Sequence, residues 1–245
     1  MTSADALALV GATGGAGTTR LTVEFGATLA RAGRDVALLD AAYATQGLAR
    51  HVPGRIDPDV TALVTDDADA DLAAGLLDHP ADLPGRLAVC PARAPFERLA
   101  RAKHRSAAER FEDLLATAAG RFEHVLVDVP PVADNQAVAA VTASDRVALV
   151  APATERGADR LPTARDRLRD LGTGADAVIA NRAGGDGPFD GADARIPESE
   201  HTAIADLPAC GDPDPEFAPA VADAVAVALG LDESLGLSFP EAGWL

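Results

Sequence analysis

Ala6-Leu7-Ala8-Leu9-Val10-Gly11-Ala12-Thr13-Gly14-Gly15-Ala16-Gly17-Thr18-Thr19-Arg20-Leu21 passes from an apolar run, through a glycine-rich turn, into the amphipathic stretch Thr18 to Ala32. A strand covered on both faces of its sheet needs such an unbroken apolar run, and the glycines allow the backbone conformations of a tight strand-to-helix turn. The same turn is a phosphate-binding position. Glycines let backbone N–H groups approach an anion, and the helix N-terminus adds its partial positive charge.

Outward from this unit the rhythm repeats. Asp35 to Asp40, Arg86 to Pro91, His124 to Asp128, Arg146 to Ala151 and Asp176 to Asn181 read as further strands after Ala6 to Gly11. Phe96 to Gly120, Asn135 to Ser144, Asp159 to Leu171 and Glu216 to Leu229 read as helices. Strands alternating with helices predict an α/β fold, a single doubly wound, mostly parallel sheet with helices on both faces. One domain is expected over residues 1–231, followed by a short tail, 232–245. His51 to Pro84 carries Pro, Gly and an Asp-rich stretch around Asp66 to Asp71, and reads as surface helices and loops. Ala183 to Ala194, rich in Gly and Asp, reads as a mobile connection. No internal repeat is visible.

The 245 residues are 48% hydrophobic, enough for a sizeable core. Apolar runs such as Phe217 to Leu231 fall short of the ~20 residues that cross a bilayer, and no charged-then-apolar signal opens the chain, so a cytoplasmic protein without a membrane anchor is expected. The apolar tail segment Phe239 to Leu245 is short and has no basic face. Cys90 and Cys210 lie far apart without metal-ligand spacing. The charge is −17, with 38 Asp plus Glu against 21 Lys plus Arg, which disfavours direct nucleic-acid binding. Lys103 is the sole lysine; this Asp-rich, Lys-poor composition is similar to that of halophile proteins. In molar salt the Debye length falls to about 3 Å, so the acidity need not repel an anionic ligand.

Two families share the glycine spacing. Gly11, Gly14 and Gly17 form G-x-x-G-x-x-G, similar to short-chain dehydrogenases, with Asp40 placed to hold a ribose hydroxyl. That reading implies an NAD(P)- or nucleotide-sugar-binding protein. A dehydrogenase needs Tyr-x-x-x-Lys, yet Tyr43 and Lys103 are the only residues of their types. Thr13-Gly14-Gly15-Ala16-Gly17-Thr18-Thr19 resembles the deviant Walker A loop of the ParA/MinD family, K-G-G-x-G-K-T-T. Val125-Leu126-Val127-Asp128-Val129-Pro130-Pro131 resembles that family's strand ending in D-x-P-P, Val178-Ile179-Ala180-Asn181-Arg182 its base-contacting strand end, and Ile196-Pro197-Glu198 the start of its C-terminal region. The resemblance runs in element order from Ala6 to about Leu231.

The resemblance implies ATP or ADP with Mg²⁺, a nucleotide site formed by Gly14, Gly15, Ala16, Gly17, Thr18, Thr19, Asn181 and Arg182, and a metal side formed by Thr19, Asp40 and Asp128. Departures from the pattern matter. The family's two loop lysines are Thr18 and Thr13 here, and the second carboxylate of its D-x-D is Ala42. A neutral hydroxyl bonds phosphate about half as strongly as a charged donor, and the water-positioning group is gone. Arg20, two residues beyond Thr18, points away from it. No catalytic residue is therefore assigned. The expected function is a degenerate ParA/MinD-like protein, weakly nucleotide-binding or binding none, acting as a regulatory or scaffolding partner in cargo positioning or partition through a protein partner or homodimer. An active ATPase is the alternative within the family. Each surviving residue also has a purely structural reading. The glycines serve the turn, Asp128 caps a strand, Asn181 occupies a left-handed turn position, and Thr19 bonds the helix backbone.

Overall fold

The computed structural model describes residues 5–65, 71–184, 189, 191–211, 215–231 and 235–239. The Asp-rich stretch lies almost wholly outside them, as do parts of 183–194 and most of the tail.

Strand β1 (Asp5–Gly11) leads into helix α1 (Thr18–Arg31), β2 (Val36–Asp40), α2 (Val60–Thr65), α3 (Leu72–Gly75), β3 (Leu77–Asp78) and β4 (Leu87–Cys90). Then come α4 (Phe96–Ala102), α5 (Arg105–Ala119), β5 (His124–Val129), α6 (Asn135–Thr142), β6 (Arg146–Pro152), α7 (Glu155–Asp170), β7 (Ala177–Asn181), β8 (Ala194–Ile196) and α8 (Phe217–Leu229). The strands form one sheet in the order β3-β4-β2-β5-β1-β6-β7-β8, parallel except where β3 pairs antiparallel with β4. The α/β fold class read from the sequence is the one observed.

Alternation along the strands builds two cores. Leu7 and Leu9 of β1 join Leu38, Leu126 and Val150 under α1 and α8. Ala6, Ala8 and Val10 join Val125, Val127 and Leu149 under α5, α6 and α7. Both faces are dry, which is why β1 contains no polar residue between Asp5 and Gly11. Helix α1 is sandwiched, with every residue from Leu21 to Ala30 buried, and its end is closed by Gly33 at φ +80° and by Arg34 N–H donating to Leu29 O.

Two expectations need correction, and two edge strands carry no sequence signal. Phe96 to Gly120 is two helices, not one. His104 takes an extended conformation, and the break is held by α6: Asn135 Nδ2 donates to Lys103 O at 2.9 Å and Lys103 pairs with Asp134. Local propensity favours a continuous helix, and tertiary contacts override it. The stretch His51 to Pro84 is not wholly surface. Val60 to Val64 are buried, and fully buried Asp59 gathers Thr61 Oγ1, Ala62 N, Arg93 N and Arg98 Nη1 around one carboxylate. The edge strands β3 and β8 have two and three residues, too short to show alternation.

The other buried acid of note is Glu24 on α1. It accepts from Ala209 N (3.1 Å) and Cys210 N (2.9 Å) and lies 3.4 Å from Arg20 Nε, tying the segment before α8 to the glycine-loop helix. Glu24→Ala leaves two amides unpaired in an apolar setting and is expected to destabilise by about 3 kcal/mol, with Glu24→Gln milder. Chemical denaturation checks this, and an unchanged midpoint for Glu24→Ala would contradict it.

Candidate functional site

At the C-terminal ends of the parallel strands, where doubly wound sheets hold their ligands, β1 turns through Gly11 to Gly17 into α1. Gly17 is the helix N-cap at φ +89°, with no side-chain cap, and Gly15 lies at φ +76°. Within the loop Ala16 N reaches Thr13 O at 3.3 Å, and the Thr13 hydroxyl bonds locally to Gly14 O. The amides of Gly14, Gly15, Gly17, Thr18 and Thr19 donate to no group among the described residues. These five N–H groups, interrupted by Ala16, flank the start of a 14-residue helix and give the loop partial positive charge without a formal charge.

Two carboxylates border the loop. Asp40, the last residue of β2, and Asp128, the next to last of β5, are direct cross-strand partners in the β2–β5 register, and both are fully buried. Thr19 Oγ1 donates to Asp128 Oδ2 at 2.6 Å, so Thr19 faces the carboxylate and not its helix backbone. Asp128 Oδ1 is buried and accepts no hydrogen bond among the described residues. Asp40 is differently placed: Oδ1 accepts from Ala42 N (2.8 Å) and Oδ2 from Ala92 N (3.1 Å), so its lone pairs already serve the backbone. Burial, then the neighbouring Asp128 charge, pushes the Asp40 pKa up to about 8. Burial raises Asp128 to about 6, against the pull of the Thr19 hydroxyl and, less, that of Thr18.

On the other side of the loop, Asn181 Nδ2 donates to Ala16 O at 2.9 Å and Asn181 Oδ1 accepts from Arg182 N. The left-handed residue here is Arg182, at φ +58°, and not Asn181. The Arg182 guanidinium crosses back over the loop to Gly15 O, 3.4 Å from Nη1. Gly14, Gly15, Ala16, Gly17, Thr18, Thr19, Asn181 and Arg182 thus meet in one place, with Asp128 beside them and Asp40 one strand further.

A cavity of about 530 Å³ opens from Gly17 and Thr19 between Asn181, Pro197, Gly47 and Phe217. The sequence reading missed several of its walls. Arg20 lines it while pairing with Glu24 and lying over the Phe217 ring at 5.2 Å, so it does point away from Thr18. Arg50 and buried His51 line it too, and burial lowers the His51 pKa to about 4, leaving a neutral ring. Gly47 belongs there because a Cβ would fall 2.6 Å from Thr19 Cγ2. Isolated Arg and His residues carry no spacing signal, and only the fold gathers them. Tyr43 is fully buried edge-on to Phe111, and Lys103 pairs with Asp134, so the tyrosine-lysine relay of a dehydrogenase is not assembled.

Comparison with solved structures gives the architecture a context. The MinC:MinD cell division complex of Aquifex aeolicus matches 98% of this chain and 99% of that chain, at TM-score 0.75 and 20% identity. MinD of Pyrococcus horikoshii, solved with Mg-ADP, matches 94% and 96%, at 0.72 and 18%. A ParA family ATPase of Chlorobium tepidum matches 90% and 98%, at 0.71 and 17%. No family model and no curated protein matches the sequence. The chain has the fold of the MinD and ParA ATPases. Among the described residues no helix is long and apolar enough to cross a membrane.

Two outcomes follow from the geometry. A carboxyl whose folded pKa lies above its unfolded value favours the folded state below about pH 4, and that advantage is lost as pH rises through the folded pKa. In metal-free buffer Asp40 therefore lowers stability between about pH 4 and 8. Asp40→Asn should flatten this loss in a Tm series, and an identical slope in the variant would contradict the assignment. The second outcome concerns the loop. An alanine at Gly15 sits at positive φ and is strained by about 1–2 kcal/mol, whereas Gly14 has negative or extended φ and open space around its Cβ. Gly14→Ala should leave Tm within about 2 °C and Gly15→Ala should lower it by more, measured by calorimetry.

Proposed function

We propose that this chain is a ParA/MinD-type P-loop protein that holds a nucleoside diphosphate or triphosphate with Mg²⁺ and does not hydrolyse it, serving as a regulatory or scaffolding partner in positioning or partition of a cellular cargo. The observation that carries this reading is the cradle of five unpaired amides next to Asp128, a buried carboxylate with an unpartnered oxygen. An unpaired buried lone pair costs on the order of 1–3 kcal/mol, and a cation at that oxygen removes the cost. In this assignment the amides of Gly14 to Thr19 seat the phosphates, Thr19 and Asp128 hold the metal, Asp40 supports them from the next strand, and Asn181 meets the base. Mg²⁺, when bound, neutralises phosphate charge.

Hydrolysis is a different demand. Phosphoryl transfer relies on positioned water and stabilised transition-state charge. Thr13 and Thr18 carry no charge, and Ala42 is a buried methyl group where a carboxylate would hold the water. A protein partner or a second copy completes the picture; the cross-dimer lysine that nucleotide-driven pairing would use is Thr13 here. The site supports a bound-state marker more than a motor.

Calorimetry in molar KCl should find Mg-ADP and Mg-ATP bound no tighter than tens of micromolar, on the order of 6 kcal/mol. A signal for NAD⁺ alone would overturn the reading. Gly14→Ala, stable by the argument above, should weaken ADP at least tenfold by crowding the phosphate. Phosphate release should stay at the buffer rate, and Thr18→Lys should tighten binding severalfold without starting turnover. Turnover in the wild-type protein that Asp128→Ala abolishes would instead make it a working ATPase. Light scattering with ATP should show no mass doubling.

A further inference from the structure

The loop offers amides but no cation, so any bound polyphosphate needs a counter-charge from elsewhere in this acidic chain. Three arginines border the cavity. Arg20 is taken up by Glu24 and the Phe217 ring. Arg50 stands on the cavity wall beside His51, whose proton affinity its charge helps to lower. Arg182 stands over the loop itself. Its Nη1 lies 3.4 Å from Gly15 O, and its Nη2 is 3.6 Å from where a Gly17 Cβ would project. It is exposed and has no carboxylate partner among the described residues.

The backbone there is unusual in the same direction. An arginine at φ +58° is uncommon and costs on the order of 1 kcal/mol. Asn181 holds it in place by spanning Ala16 O and Arg182 N with its two amide atoms. With this left-handed backbone the guanidinium lies over Gly15 and Gly17. Asp128, whose buried Oδ1 accepts no hydrogen bond among the described residues, is joined to the same loop through the Thr19 hydroxyl.

We propose that Arg182 supplies in cis the positive charge for the phosphates of a bound nucleoside di- or triphosphate, in place of the charge that Thr13 and Thr18 do not carry. The inference rests on the nucleotide reading above and adds a role to it: Arg182 contacts phosphate, not base. A guanidinium offers several N–H donors to phosphate oxygens, and a lysine at the same place offers a point charge. A stacking contact with a base requires the planar guanidinium, and lysine does not reproduce it. These chemistries separate by experiment.

The test is calorimetric titration of the full chain and its Arg182→Ala, Arg182→Gly and Arg182→Lys variants with Mg-ADP and Mg-ATP. Arg182→Gly relieves the positive φ, so its fold is at least as stable as wild type, and Tm confirms that in each preparation. The expected result is a fivefold or greater loss for Arg182→Ala and Arg182→Gly, larger for ATP than for ADP, with Arg182→Lys within about twofold of wild type. Equal losses in all three variants would place Arg182 on the base and overturn the inference. Unchanged affinities in all three would also overturn it while leaving the nucleotide reading intact. If the wild-type chain binds neither nucleotide, the nucleotide reading fails and this role falls with it.

Discussion

Gly17 can carry no side chain. A Cβ there would stand 2.4 Å from Asn181 Nδ2, and the residue sits at φ +89°. These two constraints tie the first βα turn to the end of β7. Because Gly17 is bare, Asn181 reaches Ala16 O, and because Asn181 is fixed, Arg182 turns back over the loop. The first amides of α1 stay unpaired for the same reason: the N-cap has no side chain to satisfy them. Much of the site's geometry descends from this one close approach.

The acids on the other side obey a second logic. Two carboxylates in direct cross-strand register inside a dry sheet cannot both ionise cheaply. The structure resolves this by giving them different partners. Asp40 is held by two backbone amides, and Asp128 by the Thr19 hydroxyl with a weaker pull from Thr18, its Oδ1 accepting no hydrogen bond among the described residues. In the proposed assignment that oxygen is the one that faces the metal, and buried Ala42 puts a methyl group where a carboxylate would position water.

The sheet was legible because its strands are covered on both faces. Val125-Leu126-Val127 and Val147-Ala148-Leu149-Val150 admit no polar residue, and their order with the intervening helices already implies the doubly wound arrangement. Gly14 to Thr19, Asp128 and Asn181 were legible through contiguous motif. The rest depends on long-range contacts. The break between α4 and α5 is imposed by Asn135 and Asp134, and the turn of Arg182 over the loop by the bond of Asn181 to Ala16 O. Arg20, Arg50 and His51 reach the cavity only because α1 and the segment after β2 fold against each other. None of these leaves a local pattern to read.

The central claim is that backbone amides of the glycine loop, next to Asp128, are the seat of a phosphate chain. Backbone amide NMR during titration with Mg-ADP tests it residue by residue. The account predicts that the largest shifts fall on Gly14, Gly15, Gly17, Thr18 and Thr19, with smaller ones at Asn181 and Arg182. Saturable binding that leaves those five amides unmoved, with shifts elsewhere, would contradict it.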